Sequence, residues 1–582
     1  MRTIFCKQVW LVVCIALYCF EQCLTAQAQQ VAPIIADQYR QQPVIAAHGM
    51  VVTQEAQASR IGVDILKKGG NAVDAAVAVG FALAVTLPRA GNIGGGGFML
   101  VHLAKDKQTH AVDYRETAPA SASRDMFLDT QGNADTKKSR DSGLAVGVPG
   151  TVAGLELAFR TYGSGKVNWS DVLAPAIALA KQGIVVEEDL ADSLPQAQKR
   201  LSQYPSSAKL FLKPDLTPLS QGERLVQSDL AHTLELIAAQ GSAGFYRGEV
   251  AQKLTKAVSA AGGGMTADDL ASYQPIIRKP VTGTYQGLQI ASMPPPSSGG
   301  VHVIQILNML EALNLPQSAA PDADRLHLFT EAMKIAYADR SEYLGDPDFV
   351  KVPVAALTSK RYAQARTKDI DPAKARPARE IKPGQLTPYE SDQTTHYSIM
   401  DSEGNAVANT YTLNFSYGLG LVAEGTGVML NNELDDFAAK AGVPNAFGLV
   451  GGEANAPGPR KRPLSSMSPT ILLDQGRVVL VTGSPGGSRI ISTVLNVVTN
   501  IVDHKMGGME AVSAPRLHHQ WLPDELRIER GFSPDTLKLL EAKGHKLVVG
   551  AASGSAHTIL VTSRGLEGAA DQRQRGTLAS GY

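Results

Sequence analysis

The threonine at position 394 lies between two stretches of contrasting composition. Before it, residues 366–392 carry four prolines, many charges and few large apolar side chains, which predicts an exposed, loosely held linker. After it, Thr395–Met400 and Ala406–Leu413 are rich in β-forming residues and flank a turn at 402–405, which predicts a hairpin. A cut before Thr394 would therefore place a new amino terminus at the start of a strand.

Such a cut would give the threonine its own base. A threonine hydroxyl is a weak nucleophile, but a free α-amino group on the same residue, with a pKa near ~7.7–8.0, can accept its proton. In the uncut chain the hydroxyl of Thr394 would first attack the carbonyl of Gln393, and water would then release the preceding segment. An ordinary strand residue explains Thr394 more simply, so the rest of the chain has to decide.

Three other segments carry groups that could bind or stabilise a reacting molecule. Val478–Val481 reads as a strand, Thr482–Arg489 as a Gly-Gly turn and Ile490–Val502 as a helix. Backbone N–H groups in such a turn can point at one oxygen, although an ordinary strand-to-helix turn fits equally well. Arg115 follows a predicted strand and suits a carboxylate, although a surface salt bridge is the commoner role. Asn431–Phe437 gathers five polar or acidic residues, but lacks the spacing of a calcium loop.

The amino-terminal 28 residues have the pattern of a secretory signal peptide. Arg2 and Lys7 precede an apolar run from Val9 to Phe20, and Ala26–Ala28 offers an A-x-A cleavage site. The run is too short for a membrane-spanning helix. We therefore expect an exported protein, periplasmic or secreted, with no membrane anchor after the signal is removed.

Composition excludes several classes of protein. The 582 residues carry 55 basic and 55 acidic side chains, so nothing suggests nucleic acid or a membrane surface as a partner. The mature chain would have no cysteine, which excludes disulfides, thiol catalysis and cysteine metal sites. The cysteines, all within the signal segment, are Cys6, Cys14, Cys19 and Cys23.

The elements that would position these groups can be partly read from the pattern. Ala72–Leu87 is almost entirely apolar, which predicts a buried central helix. The glycine-rich run 91–97 predicts close backbone packing, because no Gly-Lys-Ser/Thr follows to make it a phosphate loop. The chain from Gly150 to Arg366 is mostly helical in pattern, with one long helix at Ala323–Tyr343. Residues 442–462, rich in Gly, Pro and Asn, could form a mobile lid.

Taken in order, these segments resemble the γ-glutamyltranspeptidase family from end to end after the signal peptide. The most specific blocks are Gly91–Leu100, Pro294–Gly300, Tyr337–Asp348, Gln393–Tyr397, Leu464–Pro469 and Gly483–Arg489. The resemblance implies an α+β fold of the N-terminal-nucleophile hydrolase type, a four-layer αββα sandwich. It also implies a precursor that cuts itself before Thr394 into a large subunit, 29–393, and a small subunit, 394–582.

The resemblance also implies roles for individual residues. Thr394 matches the nucleophile, and its freed amine the general base. Thr412 matches a threonine that assists cleavage and hydrogen-bonds the nucleophile, while Gly486 and Gly487 match the oxyanion hole. Six further residues match the groups that hold the far end of the γ-glutamyl substrate. Those for its α-carboxylate are Arg115, Ser465 and Ser466, and those for its α-ammonium are Asn414, Glu433 and Asp436.

The implied reaction is transfer of a γ-glutamyl group from glutathione to water or to an amino acid or dipeptide, without cofactor or metal. Two positions depart from some family members: Glu433 replaces a glutamine, and Phe447 replaces a tyrosine of the lid, which puts the tightness of lid closure in doubt. A related acylase that removes a glutaryl group from a β-lactam nucleus would share Thr394 and the fold, but its substrate would leave Asp436 without a partner. A non-catalytic exported scaffold that is never cut is the remaining alternative.

Overall fold

Two antiparallel sheets of seven strands each form the centre of the chain between Pro43 and Tyr582. The structure is a computed structural model that describes residues 42–314, 321–383, 394–440, 443, 452–550 and 554–582. The predicted signal peptide, Phe447 and part of the predicted lid lie outside the described residues. Within the described part, no helix has the length and apolar character needed to cross a membrane.

The strands are β1 (Val44–Ala46), β2 (Met50–Thr53), β3 (Gly96–Leu103), β4 (Gln108–Tyr114), β5 (Ile184–Val185), β6 (Arg224–Leu225), β7 (Ile276–Arg278), β8 (Val281–Tyr285), β9 (Leu288–Ser292), β10 (Thr395–Met400), β11 (Ala406–Thr412), β12 (Val422–Ala423), β13 (Val428–Met429), β14 (Thr470–Asp474), β15 (Arg477–Thr482), β16 (Leu517–His518), β17 (Leu526–Glu529), β18 (Leu547–Gly550), β19 (His557–Thr562), β20 (Gly565–Ala570) and β21 (Leu578–Gly581).

The helices are α1 (Ala56–Lys67), α2 (Ala72–Thr86), α3 (Thr136–Arg140), α4 (Thr151–Tyr162), α5 (Trp169–Gln182), α6 (Glu188–Leu201), α7 (Pro205–Phe211), α8 (Ser228–Gln240), α9 (Ala243–Tyr246), α10 (Gly248–Ala260), α11 (Ala267–Ser272), α12 (Gly299–Ala312), α13 (Ala323–Tyr343), α14 (Val354–Leu357), α15 (Lys360–Thr367), α16 (Arg489–Val502), α17 (Gly508–Ser513) and α18 (Pro534–Ala542).

Each large sheet combines strands from both sides of Thr394. Sheet I has the order β1-β20-β19-β15-β14-β9-β8, and sheet II has the order β21-β2-β10-β11-β3-β4-β7. The predicted hairpin is confirmed as β10 and β11, which pair from Thr395–Tyr411 to Met400–Ala406. This hairpin lies inside sheet II, between β2 and β3.

The side chains of the hairpin alternate between the two faces of sheet II, because successive strand residues point to opposite faces. Each face therefore packs against a different layer. Ile399 and Val407 join a core that contains α1, α2, α4, α5 and α8. Met400 and Ala408 join a second core with sheet I and with α12, α13 and α16. The order is therefore helices, sheet II, sheet I, helices, which confirms the predicted αββα sandwich.

The central helix α2 holds the hairpin from the outer side of sheet II. All of its residues are buried, and its one acid, Asp74, forms a capping box with Asn71 at the helix start. The hydroxyl of Tyr397 donates to the Ala76 carbonyl at 2.9 Å, and that of Tyr411 donates to the Gly80 carbonyl at 3.0 Å. The buried helix predicted at 72–87 is thus confirmed, and it fixes the strands that carry Thr394 and Thr412.

The glycine run before β3 allows the close packing that the sequence predicted. A Cβ built on any of Gly94–Gly97 would lie less than 3.0 Å from a backbone oxygen. One of those oxygens belongs to Thr412, across the strand pair from β3. Only glycine therefore permits this approach of β3 to the end of β11.

The segment before Thr394 is anchored more firmly than predicted. Its described part, 366–383, is exposed over much of its length, but Ala375, Ala378 and Ile381 are buried. The indole N–H of Trp521 donates to the carbonyls of Ala378 and Ile381 at 2.7 and 3.0 Å. The expectation of a loosely held linker is wrong for this described part, because small apolar residues and backbone carbonyls dock it where few large side chains are present.

Candidate active site

The register of the central hairpin places Thr394 at the head of β10, opposite Thr412. The ladder ends with the pair Thr395–Tyr411, so the next antiparallel pair is Thr394 and Thr412. Thr412 pairs on its other side with Gly96 of β3. Thr394 is only 7% exposed. The predicted nucleophile therefore lies at the buried end of a central strand, beside the threonine that the family resemblance couples to it.

His396, two residues along β10, marks where sheet I comes close to this strand end. Its ring lies within hydrogen-bond distance of the hydroxyls of Thr410 (2.8 Å) and Ser398 (3.1 Å). A Cβ on Gly483 would collide with the ring. Burial lowers the pKa of His396 well below its usual value, so the ring is neutral. The turn that begins at Gly483 therefore lies against β10, two residues from Thr394.

That turn presents two backbone donors. Gly486 has φ +128° and Gly487 has φ +55°, conformations that favour glycine. Their carbonyls accept from the N–H groups of Arg489 (3.1 Å) and Ile490 (2.9 Å), which starts α16. Their own N–H groups donate to no other residue of the described part. Two adjacent donors at a helix start can bind the oxygen of a tetrahedral intermediate.

A buried charged cluster lies next to the strand end. We call Arg115, Glu116, Glu433 and Asp436 the site cluster. The two terminal nitrogens of Arg115 donate to Glu433 and to Asp436, one to each. The Nε of Arg115 donates to the Pro463 carbonyl at 3.1 Å, and Nη1 lies 3.8 Å from Oε2 of Glu116. A single guanidinium therefore faces three carboxyl groups, all fully buried or nearly so.

The acids of the site cluster have unused acceptor positions. Oε2 of Glu433, Oδ1 of Asp436 and both carboxyl oxygens of Glu116 have no hydrogen-bond partner in the described part of the chain. Burial raises the pKa of all three, to about 7 for Glu116, against the opposing attraction of Arg115. The pKa of Arg115 is raised by these acids despite its burial, so it keeps its charge. The cluster has an excess of acidic oxygens that suits a cation.

Asn414 connects the strand end to the site cluster. Its backbone N–H donates to Oγ1 of Thr412 at 2.8 Å, and its side-chain amide donates to the Asn432 carbonyl at 2.9 Å. Its φ of +73° is left-handed, which asparagine tolerates better than most residues. Glu433 follows Asn432 in the chain, and its backbone N–H donates to Oδ1 of Asn431 at 3.0 Å. This chain of contacts links Thr412 to Glu433.

The serine pair is held by the helical layer. The Ser465 carbonyl accepts from the N–H of Ser298 at 2.7 Å, and Ser465 Oγ accepts from Met467 N–H at 3.2 Å. Arg340 of α13, fully buried, donates to Oγ of Ser298 at 2.8 Å and to Oγ of Ser466 at 3.1 Å. Both serines are buried. They adjoin Leu464, whose carbonyl also accepts from Arg115 at 3.3 Å.

A second buried cluster, which we call the docking cluster, consists of His327, Glu331, Lys334 and His545. Ligating atoms of its histidines and glutamate lie within 4.8 Å of one another, a spacing that would suit a metal ion. They are joined by hydrogen bonds instead: His327 to His545 at 2.8 Å, and Lys334 to Glu331 at 2.8 Å. The cluster is therefore complete without a ligand.

Comparison with known proteins decides the family. A family model described as gamma-glutamyltranspeptidase matches residues 58–581. The chain belongs to the γ-glutamyltranspeptidase family. It is 54% identical over 565 residues to the glutathione hydrolase proenzyme of Escherichia coli (strain K12), covering 96% of this chain and 97% of that protein.

Solved structures agree with this assignment to the γ-glutamyltranspeptidase family. Cephalosporin acylase from Bacillus halodurans superposes with a TM-score of 0.83 at 27% identity, covering 96% of this chain and 99% of that one. Helicobacter pylori gamma-glutamyltranspeptidase matches with a TM-score of 0.55 at 49% identity, covering 56% of this chain and 93% of that one. The fold is therefore the α+β fold of N-terminal-nucleophile hydrolases, as predicted.

The structure brings Arg115, Glu433 and Asp436 into direct contact with one another. The roles that the resemblance implies for them, Arg115 on a substrate carboxylate and the two acids on an ammonium, stay predictions. Glu116 and Arg340 were not singled out beforehand. In the sequence, Glu116 is visible only as an acid directly after Arg115, and Arg340 only as an arginine within the predicted helix 323–343. Each looks like an ordinary surface residue.

Proposed function

We propose that the protein is a self-cleaving γ-glutamyltransferase that takes its γ-glutamyl group from glutathione. The cut precedes Thr394 and yields a large subunit, 29–393, and a small subunit, 394–582. The observation that carries the proposal is the register that sets Thr394 opposite Thr412 at a buried strand end, in a chain of the γ-glutamyltranspeptidase family. Export to the periplasm or outside the cell follows from the predicted signal peptide.

After the cut, Thr394 supplies both nucleophile and base. Its α-amino group takes the hydroxyl proton as the oxygen attacks the γ-carbonyl carbon. The N–H groups of Gly486 and Gly487 stabilise the oxyanion, and the proton passes to the departing amine of the cysteinylglycine part. The product is a γ-glutamyl ester on Thr394. Water releases glutamate from it, and an amino acid or dipeptide amine takes the group in transfer.

The site cluster explains the choice of a γ-glutamyl group. The far end of this group carries one carboxylate and one ammonium, so its binding site needs both signs of charge. Arg115, with Ser465 and Ser466 nearby, can take the carboxylate, and the open oxygens of Glu433 and Asp436 can take the ammonium. These contacts lie away from the reacting carbonyl and position it near Thr394.

The alternative function is that of an acylase acting on a glutaryl group, which the similarity to the Bacillus halodurans cephalosporin acylase favours. A glutaryl group has no α-ammonium, so it would leave the acidic excess of the site cluster uncompensated. We expect rapid hydrolysis of γ-glutamyl-p-nitroanilide and little turnover of glutaryl-p-nitroanilide. Equal rates on the two would reject the assignment, and rate enhancement by glycylglycine would establish transfer to an acceptor.

Substitution at position 394 tests the cleavage. Thr394→Ala should give one band on a denaturing gel and no consumption of glutathione, because it lacks the attacking hydroxyl. Thr394→Ser keeps a hydroxyl and should still give two bands of roughly two-thirds and one-third of the mature length. Two bands together with glutathione consumption in the alanine variant would refute the mechanism.

A further inference from the structure

Glu116 is a member of the site cluster and also borders the strand end that holds Thr412. Its Oε2 is 3.8 Å from Nη1 of Arg115. On its other side, a Cβ on Gly96 would lie 2.7 Å from the same oxygen, and Gly96 is the ladder partner of Thr412. Glu116 is therefore placed to contact a molecule that reaches from Arg115 towards Thr394.

The fully buried carboxyl group of Glu116 receives no hydrogen bond from a donor in the described part of the chain, and it lies against the carboxyl group of Glu433. Both of its oxygens lack a hydrogen-bond partner in the described part of the chain, as does Oε2 of Glu433. An uncompensated buried carboxylate costs several kcal/mol. A group kept at this cost in a substrate site is accounted for if its partner arrives with the substrate.

Within the described part of the chain, Glu116 forms no ion pair with a cation other than Arg115. Arg115 already binds Glu433 and Asp436. The phenol of Tyr273, which donates to the Arg115 carbonyl at 2.9 Å, stays neutral because burial raises its pKa. Burial also raises the pKa of Tyr114 and Tyr246, which lie close enough to interact electrostatically with Glu116.

We propose that Glu116 is a specificity residue of this site: with Glu433 it holds one shared proton before substrate binds and gives up that proton when the substrate's α-ammonium enters. This inference rests on the proposed function and adds a proton to its binding step. The three acids of the site cluster face the single guanidinium of Arg115, and a bound proton relieves the repulsion between two of the carboxylates. When the substrate binds, its ammonium replaces the proton in this role.

The proposal predicts that substrate affinity depends on pH. Burial is the main reason that the pKa of Glu116 is raised to about 7. Below that pH the ammonium competes with the bound proton, and above it the carboxylates are already free. The apparent dissociation constant of an α-amino ligand should therefore fall about tenfold from pH 6 to pH 7.5.

Calorimetry on the mature enzyme counts the proton directly. L-glutamate is titrated at pH 6 in buffers of different ionisation enthalpy, which reports the protons released per ligand bound. We expect release of close to one proton. Glutarate, which carries the carboxylates but no ammonium, should release none. Binding of glutamate without proton release would overturn the inference and leave the proposed function intact.

Two variants and a matched control assign the proton to the pair. Glu116→Gln and Glu433→Gln should each bind glutamate with little proton release and with an affinity that changes less than about threefold over the same pH range. Asp435→Asn is the control, because this neighbouring buried acid bonds Ser139 and does not contact Arg115. The Asp435→Asn enzyme should still release about one proton when it binds glutamate at pH 6.

The remaining outcomes separate the two claims. Wild-type proton release that persists unchanged in both glutamine variants would assign the proton elsewhere and overturn the inference. Failure of the wild-type enzyme to turn over γ-glutamyl-p-nitroanilide would refute the proposed function and this inference together. A pH-dependent KM in the wild type that becomes flat in Glu116→Gln would support the pair by an independent kinetic measurement.

Discussion

The site cluster and the docking cluster are both built from buried ionisable side chains, yet their polar atoms are used differently. In the site cluster, four carboxyl oxygens lack hydrogen-bond partners in the described part of the chain. In the docking cluster, the Nε2–H of His327 donates to the Asp371 carbonyl at 2.8 Å, and its Nδ1 accepts from His545. Lys334 bonds both Glu331 and the Arg376 carbonyl, at 2.8 and 2.9 Å.

The difference separates two uses of buried charge. A cluster whose groups satisfy one another contributes to holding its segments together. Here the docking cluster joins α13, the segment 371–376 and His545, which come from both sides of the proposed cut. A cluster with unused acceptors contributes little to stability and is instead prepared for a ligand. Substitutions should therefore separate stability from binding.

The largest effect on stability is expected from Lys334→Met. The change leaves Glu331 buried without its cation, which typically costs about 3–5 kcal/mol of unfolding free energy. Denaturant unfolding of mature wild type and variant measures the loss. Turnover per folded molecule should stay unchanged, because Lys334 is not in the site. Unaltered stability would contradict the role of the docking cluster.

Asp436→Ala should weaken substrate binding and leave the unfolding free energy nearly unchanged, the reverse of Lys334→Met. Removing a partner of the substrate ammonium is expected to cost on the order of 2–5 kcal/mol of binding, as for other truncated charge pairs. Unfolding stability should change little, because one of several acids that compete for Arg115 is removed. KM for γ-glutamyl-p-nitroanilide and unfolding curves test both halves. Normal affinity for glutathione would exclude the assigned role.

The two clusters should also respond to pH with opposite signs. Glu116 has a folded pKa of about 7 against an ordinary 4.5, so the folded state binds more protons in that window and stability falls as pH rises through it. His545 has a folded pKa of about 3 against an ordinary 6.5, because burial disfavours its charge. Its contribution is complete above pH 6.5 and is lost as pH falls towards 3.

Thermal unfolding of two variants at several pH values checks these signs. The melting temperature of Glu116→Gln should match that of the wild type near pH 4.5 and exceed it at pH 8, because the variant avoids an uncompensated carboxylate. His545→Gln should be less stable than the wild type at pH 8, with the gap shrinking as pH falls. Parallel pH profiles for both variants would show that the clusters do not differ in this way.

The smallest effect is expected where the linker docks. Trp521→Phe removes the donor shared by the Ala378 and Ile381 carbonyls but keeps most of the ring packing. The loss should be about 1 kcal/mol, and proteases should cut residues 371–383 more readily. Limited proteolysis of mature wild type and variant measures this. Equal cleavage rates would mean that the indole bond does not hold the segment.

Local patterns predicted the elements well. The hairpin at 395–412 was visible from two β-rich runs around a short turn, and α13 was predicted with the bounds that the structure shows. The buried helix α2 followed from a continuous apolar run. These features depend on neighbouring residues, so the sequence contains most of the information that specifies them.

The pairing inside the site could not be predicted in this way. Arg115 meets Glu433 and Asp436 across 318 and 321 residues, and nothing local marks them as partners. Family resemblance brought these residues into one site, but it implied contacts to a substrate and not to each other. The docking of 366–383 was missed because it depends on alanines and backbone carbonyls, which composition does not distinguish from a free linker.

The strand order has a consequence for what scission does to the molecule. In sheet II, β2, β3, β4 and β7 precede position 394 in the chain, whereas β10, β11 and β21 follow it. Sheet I is likewise shared, with β1, β8 and β9 from the first portion and four strands from the second. Neither fragment contains a whole seven-stranded sheet, so the halves should be inseparable without denaturation, and neither made alone should fold.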